Sequence, residues 1–179
     1  MKAGPYCGYT LPEIIEIKQK EEKKTGKFFW GYSGVFCHPK TLQNFVLQSI
    51  SNSKKVYILL TETKSSFETP KVEQFTKYST DTNHWLNLPE EILLVGNKSR
   101  PHFAITGNKL HAVEMNLDIS QYCLLNGLLI NKDRYLNNYF KYRVDKACGY
   151  YSPREDYTEK IIKVNYLAEL VSPYSIYIK

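Results

Sequence analysis

The sequence predicts an α+β fold: a single domain over 1–179 in which a mainly antiparallel or mixed β-sheet packs with about three helices. Three observations predict it. The chain has 179 residues, within the roughly 250 that one hydrophobic core serves before chains divide. Its apolar residues recur with both a period of two and a period of 3.6, the marks of strand and helix. Helical and strand patterns are grouped along the chain without regular β-α alternation, which argues against a doubly wound parallel sheet. No internal repeat, low-complexity tract or Pro/Gly-rich linker divides the sequence.

The first helix is predicted over 10–24. Thr10 and Glu13 have capping-box spacing, Pro12 falls in the first turn, and Gly26 ends the pattern. Residues 27–32 have the aromatic content of a strand, broken by Ser33 and Gly34. From Pro39 the period changes to 3.6, with Leu42, Phe45, Val46, Ser49 and Ile50 on one face, so a second helix starts there with His38 near its cap. The run KKVYILLTET is nearly continuous in apolar residues and reads as a central strand. After a polar loop containing Pro70 come a strand around 73–79, a turn through DTNHWLNLP and the apolar run EILLVG.

RPHFAITG and KLHAVEM alternate on either side of Asn108 and predict a hairpin. The region 117–151 is predicted helical, interrupted near Gly127. Its later part has a core stripe of Leu136, Phe140, Val144 and Ala147, a flank of Lys132, Tyr135, Tyr139, Tyr142, Arg143 and Lys146, and a cap at Gly149. A final strand pair is predicted from the alternation of Ile162, Val164, Tyr166, Ala168 and Leu170, a turn at Ser172 and Pro173, and the strand 174–178.

No window approaches the ~18 uninterrupted apolar residues of a membrane helix, and the N-terminal segment lacks the apolar centre of a secretory signal. A cytoplasmic protein with no membrane partner is expected. The four cysteines, Cys7, Cys37, Cys123 and Cys148, form no close pair and are expected as free thiols. Neither metal nor other cofactor is expected, because zinc sites recruit ligands in close pairs and adjacent residues such as Cys37 and His38 point apart on a strand. The abundance of Lys, Asn, Ile and Tyr is that of AT-rich codons, as in bacterial, phage or viral genomes. The formal charge of +6 is spread in ones and twos and draws the chain toward anionic partners.

Chemistry concentrates in the stretch FFWGYSGVFCHPK. A strand passing through glycine into a helix opens unpaired amide groups at the positive end of the helix dipole, which favours anions. The P-loop, dinucleotide and nucleophile-elbow patterns are all absent from it. The leading expectation is therefore a bound phosphate-bearing ligand, nucleotide or nucleic acid. The ligand would rest against the turn of Ser33 and Gly34, with Arg100, His102 and the Tyr139, Arg143 and Lys146 surface as second walls; Lys40, Arg100 and Arg143 would neutralise phosphate, Trp30 or Tyr32 would stack a base or ribose, and backbone amides near Pro39 would hold an oxygen.

The second expectation is an enzyme in which Cys37 is a nucleophile activated by the helix start and nearby cations, with His38, His102 or His111 as acid or base. The third is a non-catalytic module that binds or inhibits a protein partner through its tyrosines and arginines, of phage or mobile-element origin.

Overall fold

The computed structural model describes residues 1–33, 37–64, 72–97, 102–126, 129–139 and 146–179, without the side chains of 126, 129–134, 138 and 139. Strand β1 (Lys2–Ala3) precedes helix α1 (Leu11–Thr25), β2 (Phe28–Ser33), helix α2 (Pro39–Ser51) and β3 (Tyr57–Glu62). Short strands β4 (Glu73–Gln74), β5 (Lys77–Ser79), β6 (Leu86–Asn87) and β7 (Val95–Gly96) follow, and then the long β8 (His102–Asp118). A 3-10 turn, Ile119–Gln121, leads to β9 (Tyr122–Asn126), β10 (Leu129–Tyr135), the single-turn α3 (Leu136–Tyr139), β11 (Gly149–Tyr151) and the long β12 (Ile161–Ile178).

The result is an α+β fold on a mixed sheet. β12 lies at the centre, antiparallel to β8 on one side and to β3 and β5 on the other. β2 extends the sheet beyond β8, β6 beyond β5, and β1 joins β3 in parallel. β10, β9 and β11 make a separate antiparallel sheet, and β4 pairs β7.

Local signals place the two long helices. Glu13 Oε2 accepts from both the backbone N–H and the hydroxyl of Thr10 at 2.7 Å, and Gly26 closes α1 in the left-handed region at φ 78° while donating its N–H to the Glu22 carbonyl oxygen at 2.8 Å. Pro39 opens α2. Leu11 and Ile15 of α1 and Leu42, Phe45 and Val46 of α2 meet Phe28, Tyr32, Ile58, Leu60, Phe103 and Ile105 of the sheet in the main core. Each such side chain contributes roughly 1.5–3 kcal/mol when fully buried. Phe29, Phe75, Ile92, Leu94, Ala104, Ile176 and Ile178 form a second core.

Three expectations change here. The hairpin about Asn108 is replaced by one strand, β8, that runs through it. Where a turn was expected, Lys109 takes φ 56° as a bulge, and Glu22 of α1 accepts from the amides of Lys109 and Leu110 at 2.5 and 3.1 Å. A carboxylate thus replaces the ladder partner, and the chain has no need to reverse.

Likewise Ser172 and Pro173 do not divide β12 into two strands. Five steps along β12, from Leu170 to Ser175, match two along β8, from Gly107 to Ile105. The excess is odd, so even-numbered residues swap faces: Ala168 belongs to the main core, Ile176 and Ile178 to the second.

The third change is the late helix. Among the described residues the helices are α1, α2 and the four residues of α3, with the 3-10 turn at Ile119–Gln121. The Asp118 carboxylate accepts from the amides of Ser120 and Lys160, both at 3.0 Å, which ends β8 and turns the chain. Tyr122 and Leu124 then pack with Leu117 and Ile162 of the long strands, so distant partners draw this segment into a sheet. Phe140 and Val144 of the expected stripe lie outside the described residues.

Candidate functional site

β2 builds one wall of a cavity of about 590 Å³. Its alternation turns Phe28 and Tyr32 into the main core and Phe29 into the second, while Trp30 is half-buried. Trp30, Gly31, Tyr32 and Ser33 line the cavity from this strand, and His102, opposite Ser33 in the ladder, joins them from β8. Lys146 reaches the same space, with its Nζ 5.8 Å from the centre of the Tyr32 ring.

The remaining wall was not foreseen. The N-terminal segment folds into a tight turn in which Tyr6 and Tyr9 exchange backbone hydrogen bonds at 3.0 Å across Cys7 and Gly8. Both central residues have positive φ, 53° and 80°, the geometry of a type I′ turn. This turn presents Tyr6, Cys7 and Tyr9 to the cavity, beside Lys2 of β1, Lys18 of α1 and Asn97. Among the described residues of the wall the charged side chains are Lys2, Lys18 and Lys146, and none is acidic.

Lys18 is already committed. It is 6 % exposed, and its Nζ donates to Glu21 Oε1 and to the Leu93 carbonyl oxygen, each at 2.7 Å. Burial lowers its pKa against the pull of Glu21, and burial raises that of Glu21. The other two lysines of this wall are Lys2 and Lys146.

No family model, curated protein or solved structure matches this chain.

The start of α2 differs from an open anion cradle. The His38 ring packs against Phe103 and Tyr177, with ring centres 5.2 and 5.6 Å away, and Pro39 is buried. Lys40 is exposed and does not line the cavity. His102 stacks on Phe75 of the second core at 4.9 Å, whereas Cys37 packs against the main core. The two expected partners of a nucleophile and base pair thus face different cores. His111 is exposed, with Nδ1 2.6 Å from the Lys109 carbonyl oxygen.

Gly34, Arg100 and Arg143 lie outside the described residues, as does the side chain of Tyr139, whose backbone ends α3. Among the described residues no three of His, Cys, Asp and Glu gather as a metal site, and no helix is long and apolar enough to cross a membrane.

Tyr32 sits at the centre of the arrangement. Its hydroxyl donates to the Cys37 carbonyl oxygen at 2.5 Å and lies 2.9 Å from Ser175 Oγ, and burial pushes its pKa well above the usual phenol range. It is a fixed neutral ring whose hydroxyl holds the Cys37 backbone. The sequence marked Trp30, Tyr32, Ser33, His102 and Lys146, and they do share one cavity. Lys2, Tyr6, Tyr9, Lys18 and Asn97 were missed, and of these only the tyrosines flanking Cys7 and Gly8 carried a local signal, a turn with an aromatic on each side.

Proposed function

We propose that the 590 Å³ cavity binds a phosphate-bearing small molecule of the nucleotide class. Its size is that of small-molecule sites, which run from about 300 to 1,000 Å³. The observation that carries the reading is the wall itself: among the described residues its charged side chains are all lysines, and the rings of Tyr6, Tyr9, Trp30 and Tyr32 stand among them. Lys2 and Lys146 would supply positive charge to phosphate oxygens, and Trp30 would stack a planar base. The phosphate would rest beside β2 in place of the α2 amides, where His38 and Pro39 pack.

A thermal-shift screen of nucleotides tests this, since a ligand that binds only the folded state raises the melting temperature. At 100 times Kd the gain is about 2.7 kcal/mol. At least one nucleotide should raise the midpoint and quench Trp30 fluorescence, and Lys146→Ala should weaken that response by about tenfold, the loss of roughly 1.4 kcal/mol. Heparin retention that falls steeply with salt, without a nucleotide shift, would assign the cations to a polyanion. Absence of both responses would overturn the reading in favour of a protein partner.

A further inference from the structure

Cys37 and Cys148 stand 111 positions apart in the chain, yet Sγ of one lies 3.0 Å from Sγ of the other. The ligand reading makes no use of this pair. Both backbones are held. The Cys37 carbonyl oxygen accepts from Tyr32, and the chain enters α2 at buried Pro39 two residues later. The Cys148 carbonyl oxygen accepts from the Leu125 amide at 2.9 Å, and the next three residues pair with β9 as β11. Approach by about 1 Å brings the sulfurs to the disulfide bond length of about 2 Å. Neither side chain is sealed in, for both are half-buried and line a cavity of about 880 Å³.

We propose that Cys37 and Cys148 form a thiol–disulfide exchange site, which a low-molecular-weight disulfide converts into an intramolecular bridge. The Cys37 thiol gives its proton to solvent, and its thiolate attacks one sulfur of the reagent and expels one thiolate. Cys148 then loses its proton and attacks Sγ of the mixed disulfide on Cys37, which expels the second thiolate. The two departing thiolates take up two protons, so the protein loses two electrons and two protons and the reagent gains them. Direction follows from the pair's asymmetry. The Cys148 thiol donates to the Cys37 sulfur, which holds Cys37 below the ordinary thiol range and, with burial, raises Cys148 well above it. Cys37 is the attacking sulfur and Cys148 the resolving one.

The site stands on sulfur geometry, so failure of nucleotide binding leaves it untouched. Its test uses the purified full chain, equilibrated across ratios of oxidised to reduced glutathione, quenched with acid, alkylated and mapped by mass spectrometry. As the oxidised fraction rises, the alkylated thiols should fall from four to two in one step, and a digest should join the Cys37 peptide to the Cys148 peptide. Cys148→Ser should stop at a glutathione adduct on Cys37. Cys7→Ser, in the other cavity wall, and Cys123→Ser, in the core, should leave the transition unchanged. Four alkylated thiols at every ratio, a bridge through Cys7 or Cys123, or separate adducts without a bridge would overturn the proposal. Mapping of the unmodified chain decides the matter even where a variant fails to fold.

Discussion

At the scale of single residues, glycine shows where the packing is tightest. A Cβ added to Gly107 would stand 2.6 Å from Phe28 Cζ and 2.7 Å from Ile58 Cδ1, and Phe28 is wholly buried. Gly107 lies in the middle of β8 with partners on both sides, Phe28 of β2 and Leu170 of β12, so the backbone has little freedom to withdraw. Gly107→Ala should lower stability by about 1–3 kcal/mol, the usual cost of overpacking a core. Urea denaturation measures it as a lower midpoint at unchanged slope. The sequence shows Gly107 beside Asn108, a pair that reads as a hairpin turn; the ring that needs the missing side chain comes from a strand 79 positions away. Tyr32 was legible as an aromatic in a strand, but its hydroxyl contact with Ser175 was not, because residues 143 apart leave no common pattern.

At the scale of elements, legibility follows the range of the forces. α1 and α2 were readable because a capping box, a first-turn proline and a 3.6 period are all local. The late region differs because β9 is a strand by virtue of its pairing with β10 and β11 and of the core that Tyr122 and Leu124 share with Leu117 and Ile162. What fastens α1 to the sheet is equally non-local. Glu21 takes the Leu93 amide at 2.9 Å and the Phe29 amide at 3.3 Å, besides the Lys18 ammonium, so one buried carboxylate joins the helix to β2 and to the segment before β7. In the sequence Lys18 and Glu21 stand in the charged run KQKEEKK, where no local pattern marks them for burial. Glu21→Ala should cost about 3–5 kcal/mol, because Lys18 is left buried with an unpaired charge and two amides lose their acceptor. Replacing both partners with Met and Leu should cost less, since no stranded charge remains. Chemical denaturation of the two variants side by side measures the difference, and an equal loss in both would refute the pairing argument.

At the scale of the whole molecule, β12 links everything. Ala168 belongs to the main core, Ile176 and Ile178 to the second, and Ile162 packs against the third cluster of Ile119, Leu124 and Leu136. One strand thus crosses all three, so unfolding should proceed as one cooperative transition. Charge is also rearranged at this scale: the sequence scatters its cations in ones and twos, and the fold gathers Lys2, Lys18 and Lys146 around one cavity. The Cys37 and Cys148 pair acts on the same cooperative unit, since it would tie the start of α2 to β11 of the smaller sheet. Closing a loop of that length removes conformations from the unfolded chain and stabilises the fold by up to roughly 4–5 kcal/mol when the native geometry is kept. The glutathione-oxidised protein should therefore unfold at a higher urea concentration than the reduced one, with one transition in both states and return to the lower midpoint on adding a dithiol. Because the backbone on each side is already held, little native strain is expected to offset the gain. An oxidised form bearing the Cys37–Cys148 bridge but unfolding no later than the reduced form would show that closure breaks the bond from the Tyr32 hydroxyl to the Cys37 carbonyl oxygen.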